Sequence, residues 1–349
     1  MSQTAAFQWA VIGAGPAGIA AVGKLLDYGI LPGHILWIDP LFKVGDLGQF
    51  WCNVSSNTTV KRFLDFLNAA QSFAYQDAPV NFTLNHCHLE DTCTLSEIVA
   101  PLQWVSDHLS KKIIAKRTMI HSMALSERCW SLYSDSQVFK ARNVILATGA
   151  VPSSLNYPGI DVIPLEIAID KARLQTAINT SHTYAVFGSS HSAIMIVRYL
   201  VELGVKRIIN FYRSPCRYAI DMGDWFLFDN TGLKGQTATW ARNHIDGVLP
   251  ANLVRYNATE VNLARFLPEC HKVIYAVGFE PRKNITIGDY ENINHNPHLG
   301  IIGPGLFGLG IGYPELKADP YGNVESQVGL WKFMVYLTRV MPLWFKYHA

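Results

Sequence analysis

The stretch that decides the fold is WAVIGAGPAG, residues 9–18. A short apolar strand, Trp9–Ile12, runs directly into a Gly-x-Gly-x-x-Gly turn, and residues with helical spacing follow. Gly13 permits a tight turn, Gly15 lets the backbone approach a diphosphate, and Gly18 lets helix and strand pack closely. The complete strand, turn and helix context predicts a dinucleotide-binding unit, whereas the alternative is a glycine turn that only connects two elements.

The next predicted strand, HILWID, supports this interpretation because it ends at Asp39, 21 residues after Gly18. A carboxylate at that position can accept hydrogen bonds from ribose hydroxyls. The candidate binding residues of this first turn are Gly13, Ala14, Gly15, Pro16, Ala17, Gly18, Asp39 and Pro40.

A second unit of the same kind is predicted from YAVFGSSHSAIMIVRYLVELG, residues 184–204. Ser190 and Ala193 replace the second and third glycines, but the helix start still offers backbone N–H groups. Arg213 stands where the first unit has Asp39, and an arginine there suits a 2′-phosphate, which favours NADP over NAD. The alternative is a surface arginine pair on a degenerate repeat. The candidate residues are Gly188, Ser189, Ser190, His191, Ser192, Ala193, Arg213 and Arg217.

Composition limits the possible functions. The chain has 349 residues, 49 % of them hydrophobic, and a net charge of +2, so it can bury a large core and has no basic run for nucleic acid. Six cysteines without a C-x-x-C pair and an N-terminus without a signal-peptide pattern favour a cytoplasmic protein with reduced thiols.

The apolar stretch from about 324 to 347 predicts a packed helix. A weak membrane-surface role for its aromatic residues is the alternative; these are Trp331, Phe333, Trp344 and Phe345.

Two further segments indicate a family. NVILATGAVPSSLNYPG (143–159) and KVIYAVGFEP (272–281) are each a buried strand followed by an A-T-G-like turn. With the first glycine turn, they resemble the two-dinucleotide flavoprotein superfamily, which includes thioredoxin reductases, ferredoxin reductases and flavin-containing monooxygenases. The resemblance implies an α/β fold with two Rossmann-like domains. These are a discontinuous FAD domain (1–155 and 275–349) and an inserted NAD(P) domain (156–274). It adds Thr148, Gly149 and Ala150 to the candidate FAD residues.

Residues 45–61, GDLGQFWCNVSSNTTVK, resemble a region of flavin-dependent monooxygenases in which a G-G-x-W element precedes an S-N-x-x-K element. The resemblance implies that Asn57 lies beside the flavin ring and that Asn57 and Trp51 are catalytic. An amide donor and a dry pocket suit oxygen chemistry there. It also implies cofactor contacts for Gly48, Gln49, Trp51, Asn57 and Thr58. From the residues alone, Asn57 or Thr58 is expected to cap a helix that begins near Val60.

The stretch LFGLGIGYPE (306–315) resembles the C-terminal flavin motif of the superfamily, with Gly310 at its glycine. Ile311 stands where disulfide reductases have an acid, which favours the monooxygenase and N-hydroxylase branch. A helix after Tyr321 is then expected to direct its N-terminus at the flavin. The chain lacks the F-x-G-x-x-x-H-S-x-x-Y stretch usual in monooxygenases.

The combined prediction is an FAD-dependent enzyme in which NADPH supplies electrons and oxygen meets a small, partly apolar substrate. Two alternatives are a reductase that passes electrons to a quinone or protein, and a nucleotide-bound sensor or scaffold.

HCHLEDTC (86–93) has no second ligand pair, so no metal site is predicted. The aromatic segment 211–232 can serve as a substrate lid or pack against a partner subunit, so a homodimer is possible.

Overall fold

The computed structural model describes residues 6–288 and 294–347. By contacts the chain divides into two compact units. The first unit comprises the chain up to Ala150, then Pro281–Lys317, and the chain from Ser326 onwards; the second comprises Val151–Glu280 and Ala318–Glu325. The sequence placed borders at 155 and 275 and did not indicate the return of residues 318–325 to the second unit.

The part of the first unit before residue 150 contains the predicted glycine turn between its first strand and first helix. Its strands are Phe7–Ile12 (β1), Ile35–Ile38 (β2), Ser55–Thr59 (β3), Thr92–Thr94 (β4), Ile114–Lys116 (β5), Ser122–Ser126 (β6), Cys129–Tyr133 (β7) and Val138–Leu146 (β8). Its helices are Pro16–Asp27 (α1), Gly45–Gln49 (α2), Val60–Asn68 (α3) and Ser96–Lys112 (α4).

The middle of the chain forms the second unit, again with a strand, a glycine turn and a helix. The strands are Ala150–Pro152 (β9), Asp161–Val162 (β10), Thr183–Phe187 (β11), Arg207–Tyr212 (β12), Ile220–Asp221 (β13), Phe226–Leu227 (β14), Leu253–Asn257 (β15), Lys272–Tyr275 (β16) and Phe279–Pro281 (β17). The helices are Leu165–Ala168 (α5), Lys171–Ala177 (α6), His191–Glu202 (α7), Gly235–His244 (α8) and Glu260–Phe266 (α9).

The remaining segment returns to the first unit, apart from Ala318–Glu325, which belong to the second. Its strands are Thr286–Ile287 (β18), Ile301–Gly303 (β19), Leu306–Gly308 (β20), Glu315–Ala318 (β21) and Val324–Gln327 (β22), and its helix is Leu330–Trp344 (α10). The expected helix after Tyr321 is present, but it begins at Leu330 and not near 324. Val324–Gln327 forms β22 instead, because it pairs with β21, which local helical spacing did not reveal.

The two units share one strand order. The first sheet contains the order β8-β1-β2-β5 with parallel neighbours, and the second contains β16-β11-β12-β15, also parallel. Strand β1 is buried from Trp9 to Ile12 and β11 from Tyr184 to Phe187, as expected for parallel strands covered on both faces. This repeated α/β order places one glycine turn at the carboxyl edge of each sheet.

The C-terminal helix is part of the core of the first unit. The Phe307 ring of β20 stacks between Trp9, at a centroid distance of 5.8 Å, and Trp344, at 4.7 Å. The Trp344 indole nitrogen donates to the Leu299 carbonyl at 2.7 Å, and Phe333 is also buried. A membrane-surface role for Phe333 and Trp344 is therefore wrong. Across the described ranges, no helix combines the length and apolar character needed to cross a bilayer.

Candidate functional site

The first turn requires glycine at Gly13 and Gly18 for reasons internal to the protein. Gly13 has φ +111°, and a Cβ there would lie 2.2 Å from the Ala147 carbonyl oxygen. A Cβ at Gly18 would lie 1.9 Å from the Gly13 carbonyl oxygen. The Gly13 amide donates to the Ile38 carbonyl at 2.8 Å, which fixes the turn to the end of β2.

Gly15 is different, because no protein atom requires a glycine there. Its φ of −76° is open to any residue, and the nearest atom to an added Cβ is the Gly45 Cα at 3.9 Å. Gly15 is the N-cap of α1, and no side chain caps this helix end or places an acid in its first turn. The space and the unpaired N–H groups suit an anion that approaches the backbone closely, as the diphosphate of FAD does.

Asp39 is held against this turn. One carboxylate oxygen accepts from the Ala14 amide at 2.8 Å, and the other accepts from the Leu41 and Phe42 amides at 2.8 and 2.7 Å. The carboxylate is therefore fixed at the end of β2, just before the exposed Pro40. Because a carboxylate has about four lone-pair sites, it can still accept from ribose hydroxyls.

Two other predicted segments lie against the first turn. Gly149 has φ +76° and Gly310 has φ +91°. A Cβ at Gly310 would lie 2.6 Å from the Ala17 Cβ, and a Cβ at Gly312 would lie 2.4 Å from the Gly149 carbonyl oxygen. Thr148 hydrogen-bonds to the buried Tyr313, and burial raises the pKa of that phenol. The A-T-G turn (Ala147–Gly149) and the Gly310 segment thus lie beside the first glycine turn and the start of α1.

Helix α2 packs on the same turn through a contact that the sequence did not predict. A Cβ at Gly45, which has φ +58°, would lie 3.0 Å from the Gly15 Cα. Asp46, the next residue, pairs with Arg282 at 2.6 Å. Gly48 is constrained by the fold itself, since its Cβ would lie 2.3 Å from the Lys43 carbonyl oxygen. No sequence motif indicates the Asp46–Arg282 ion pair, because 236 residues separate the two residues in the sequence.

The proposed catalytic region follows α2. Trp51 is half-buried, and its amide donates to the Asp46 carbonyl at 3.3 Å. Asn57 is exposed on β3, which pairs antiparallel with β4. The N-cap of α3 is Thr59, without a side-chain hydrogen bond, so the expected cap at Asn57 or Thr58 is wrong. Pairing with β4 holds these residues in a strand, while the Ser56 hydroxyl accepts from the Thr58 amide at 2.8 Å.

The second turn repeats the geometry of the first. Gly188 has φ +123°, its amide donates to the Phe211 carbonyl at 2.8 Å, and its Cβ would lie 2.4 Å from the Ala276 carbonyl oxygen. Ser190 is the N-cap of α7 with φ −87° and ψ −175°, nearly the conformation of Gly15. Buried Asn210 supports this turn by donating to the Val186 and Gly188 carbonyls, both at 2.9 Å. The remaining turn residues, Ser189, Ser192 and Ala193, lie in the same strand-to-helix connection.

The side chains around the second turn are mostly basic. The Nδ1 atom of His191 is buried without a hydrogen-bond partner in the described chain. Burial, together with the charge of Lys234, lowers the pKa of His191 to about 4, so its ring is neutral near pH 7. Lys234 pairs with Asp229 at 2.6 Å. Arg213 and Arg217 are exposed, and the Arg217 guanidinium lies 5.0 Å from the Phe228 ring centre.

Comparison with known proteins identifies the family. The sequence profile of the family described as pyridine nucleotide-disulphide oxidoreductase matches residues 7–302. The chain belongs to this family. A curated relative, Monooxygenase AgnR1 of Paecilomyces divaricatus, is 32 % identical over 96 % of this chain and 97 % of its own length. The resemblance read from the glycine turns and the A-T-G-like segments is confirmed.

Solved structures of this oxidoreductase fold agree with the architecture. A flavin-containing monooxygenase from Stenotrophomonas maltophilia has a TM-score of 0.66 at 15 % identity, with 99 % of both chains covered. An ornithine N-hydroxylase from Kutzneria sp. 744 has a TM-score of 0.66 at 13 % identity, with 98 % of this chain and 99 % of that one covered. The predicted fold class, with two dinucleotide-binding domains, is confirmed.

As a member of the pyridine nucleotide-disulphide oxidoreductase family, the chain is an FAD-dependent oxidoreductase with an FAD- and NADP(H)-binding fold. Although the family name refers to disulphides, this sequence has no C-x-x-C pair, and all six cysteines are free thiols in the structure. Within residues 6–288 and 294–347, no group of three or more His, Cys, Asp or Glu side chains is arranged to hold a metal ion.

Proposed function

We propose that this oxidoreductase catalyses the NADPH- and O₂-dependent oxygenation of a small, partly apolar organic molecule. The overall reaction consumes one NADPH, one proton and one O₂ per substrate and yields NADP⁺, oxygenated product and water. When bound, FAD supplies the redox chemistry that couples the nucleotide to oxygen. The observation that carries this proposal is the match to a monooxygenase along almost the whole chain. It favours oxygenation over the reductase and the sensor.

In the first unit, the proposed FAD site is centred on Gly15. The open space at this glycine and the N-terminus of α1 receive the diphosphate, and Asp39 accepts from a ribose. The close contacts of Gly45, Gly310 and Gly312 with neighbouring segments form the walls of this cradle. The FAD domain is then the discontinuous one proposed from the sequence, 1–155 with 275–349.

In the second unit, we propose that the N-terminus of α7 receives the NADPH diphosphate. Ser190 adds a side chain where the first turn has glycine, so this approach is wider. His191 offers an uncharged ring nitrogen that has no hydrogen-bond partner among the described residues and can hydrogen-bond to the nucleotide. Arg213 and Arg217 are exposed after β12, where they can pair with a 2′-phosphate.

At the reacting end of the first unit, Asn57 and Trp51 are the proposed catalytic residues. Asn57 is an exposed amide on a strand, able to donate to an oxygen atom of a reacting group. Trp51 is half-buried and large enough to exclude water from the same region. We further propose a cytoplasmic location, in keeping with the free thiols of all six cysteines.

The proposal is tested by following the absorbance of the purified yellow protein. Anaerobic addition of NADPH should bleach the flavin faster than NADH does, and admission of air with a panel of apolar amines and sulfides should yield a product carrying labelled oxygen. Bleaching followed only by reduction of quinones or dyes, with no substrate incorporating oxygen, would favour the reductase. An absorbance that neither nucleotide bleaches would refute hydride transfer altogether.

A further inference from the structure

An ion pair joins three segments of the first unit beside the glycine turn. Arg282 Nη2 lies 2.6 Å from Asp46 Oδ2, and the Arg282 amide donates to the Gly149 carbonyl at 3.3 Å. Asp46 directly follows Gly45, whose backbone contacts Gly15. Arg282 therefore connects α2, the A-T-G turn and the segment that returns from the second unit.

The position of Asp46 creates an electrostatic problem for an anionic ligand. Its Oδ2 atom lies 4.0 Å from the place of a Cβ on Gly149, close to the cradle proposed for the diphosphate. A carboxylate there would repel phosphate groups. Arg282 neutralises it, and the side chains are only 33 % and 23 % exposed, so solvent screens the pair incompletely.

The Arg282 guanidinium also has an N–H donor that Asp46 does not use. Its Nε atom is buried and has no hydrogen-bond partner among the described residues, because Asp46 accepts from a terminal nitrogen. A buried donor on a charged group is destabilising when it has no acceptor. Arginine carries five N–H donors in a fixed fork, so one group can bind Asp46 and a ligand at once.

We propose that Arg282 is an FAD-binding residue that donates from Nε to an oxygen of the dinucleotide beside the first glycine turn, with Asp46 as its positioning partner. This inference rests on the proposed FAD site in the first unit. It adds a contact that no glycine motif specifies, supplied by the segment that follows the second crossing between the units.

The test compares Arg282→Lys with Asp46→Asn in the holoenzyme. Lysine keeps the charge and can still pair with Asp46, but it lacks the Nε donor and the planar fork. We expect Arg282→Lys to raise the dissociation constant of FAD by about 10- to 100-fold, as for loss of a hydrogen bond to a charged group. Flavin fluorescence that recovers on dilution of the yellow protein measures this release.

Asp46→Asn should give the opposite pattern. It removes the repulsive charge but keeps an amide oxygen that can accept from Arg282 and position it, so FAD release stays as slow as in the wild type or slows further, while Tm falls because the charge attraction within the pair is lost. Tm is compared with FAD at a fixed multiple of each variant's own dissociation constant, so that ligand stabilisation is equal. Arg339→Lys is the matched control, since Arg339 pairs with Glu315 at 2.7 Å in the same unit.

Wild-type FAD retention in Arg282→Lys overturns the inference. A joint loss of FAD and of Tm in both Arg282→Lys and Asp46→Asn also overturns it, because the pair is then purely structural. If the wild-type chain itself binds no FAD, the proposed function fails instead, and the two failures are therefore distinguishable.

Discussion

Substitution of Gly15 by alanine tests whether this glycine is required for FAD binding and not for folding. The backbone at Gly15 has φ −76°, and an added Cβ would meet only the Gly45 Cα at 3.9 Å. Ser190, which already carries a side chain at the equivalent N-cap, shows that this conformation accepts one. Gly15→Ala is therefore expected to fold normally and to lose FAD.

The expected magnitudes follow from the local geometry. Alanine is a poorer N-cap than glycine by up to about 1 kcal/mol, but it reduces the conformational entropy of the unfolded chain by a similar ~0.4–1 kcal/mol. The free energy of unfolding of the FAD-free chain should then change by less than about 1 kcal/mol. A methyl group that displaces the diphosphate from two backbone N–H donors loses at least ~3 kcal/mol, or about 100-fold in FAD affinity.

The assay pairs FAD release on dilution, followed by flavin fluorescence, with urea unfolding. Gly33→Ala is the matched control, because Gly33 lies in the same unit and an added Cβ there has no neighbour within 4 Å. FAD retention by Gly15→Ala equal to that of the wild type would refute the close approach of a diphosphate. A large loss of stability without FAD would show that the fold itself requires this glycine.

Three further outcomes are expected. Arg213→Ala should weaken NADPH about 10- to 100-fold relative to NADH in anaerobic titrations of flavin bleaching, and equal weakening of both nucleotides would contradict the 2′-phosphate contact. Asn57→Ala should make the reduced enzyme reoxidise about 10-fold faster in air, seen by stopped-flow absorbance; an unchanged rate would remove Asn57 from the oxygen chemistry. The pKa of His191 is lowered from 6.5 to about 4 in the folded protein, so on acidification His191 is protonated in the unfolded chain at a higher pH than in the folded chain. Stability should thus be complete above about pH 6.5 and decline towards pH 4, and His191→Gln should flatten that decline in urea midpoints.

The glycine turns were predictable because part of their requirement is local. Gly18 meets the Gly13 carbonyl oxygen within the same turn, which leaves a fixed spacing in the sequence. Gly13 and Gly188 each have a positive φ, which favours glycine at that single position. Their contacts with the Ala147 and Ala276 carbonyls come from distant strand ends and leave no such spacing. The α/β fold and its two nucleotide units therefore follow from short motifs.

Features that depend on distant partners were not predictable. Residues 54–61, VSSNTTVK, contain good helix caps, yet Ser55–Thr59 forms a strand because β4 supplies its partner. Residues Val324–Gln327 likewise form a strand, since they pair with β21, where the sequence suggested a continuous helix. Asp46 and Arg282 meet across 236 residues, and neither position belongs to a recognisable spacing. Tertiary pairing overrides local propensity at each of these places.

The division of the first unit between both ends of the chain determines how this protein can be made. Strand β20 pairs with β8, and Trp344 stacks on Phe307, so the core around Trp9 is completed only by the last part of the sequence. At about 5–20 residues per second, the ribosome takes about 10 to 40 seconds to add the residues between 150 and 344. Segment 151–280, which forms most of the second unit, emerges within that interval and can begin to fold first. Gly310, a wall of the proposed FAD cradle, is among the late residues, so this cradle is assembled only near the end of synthesis.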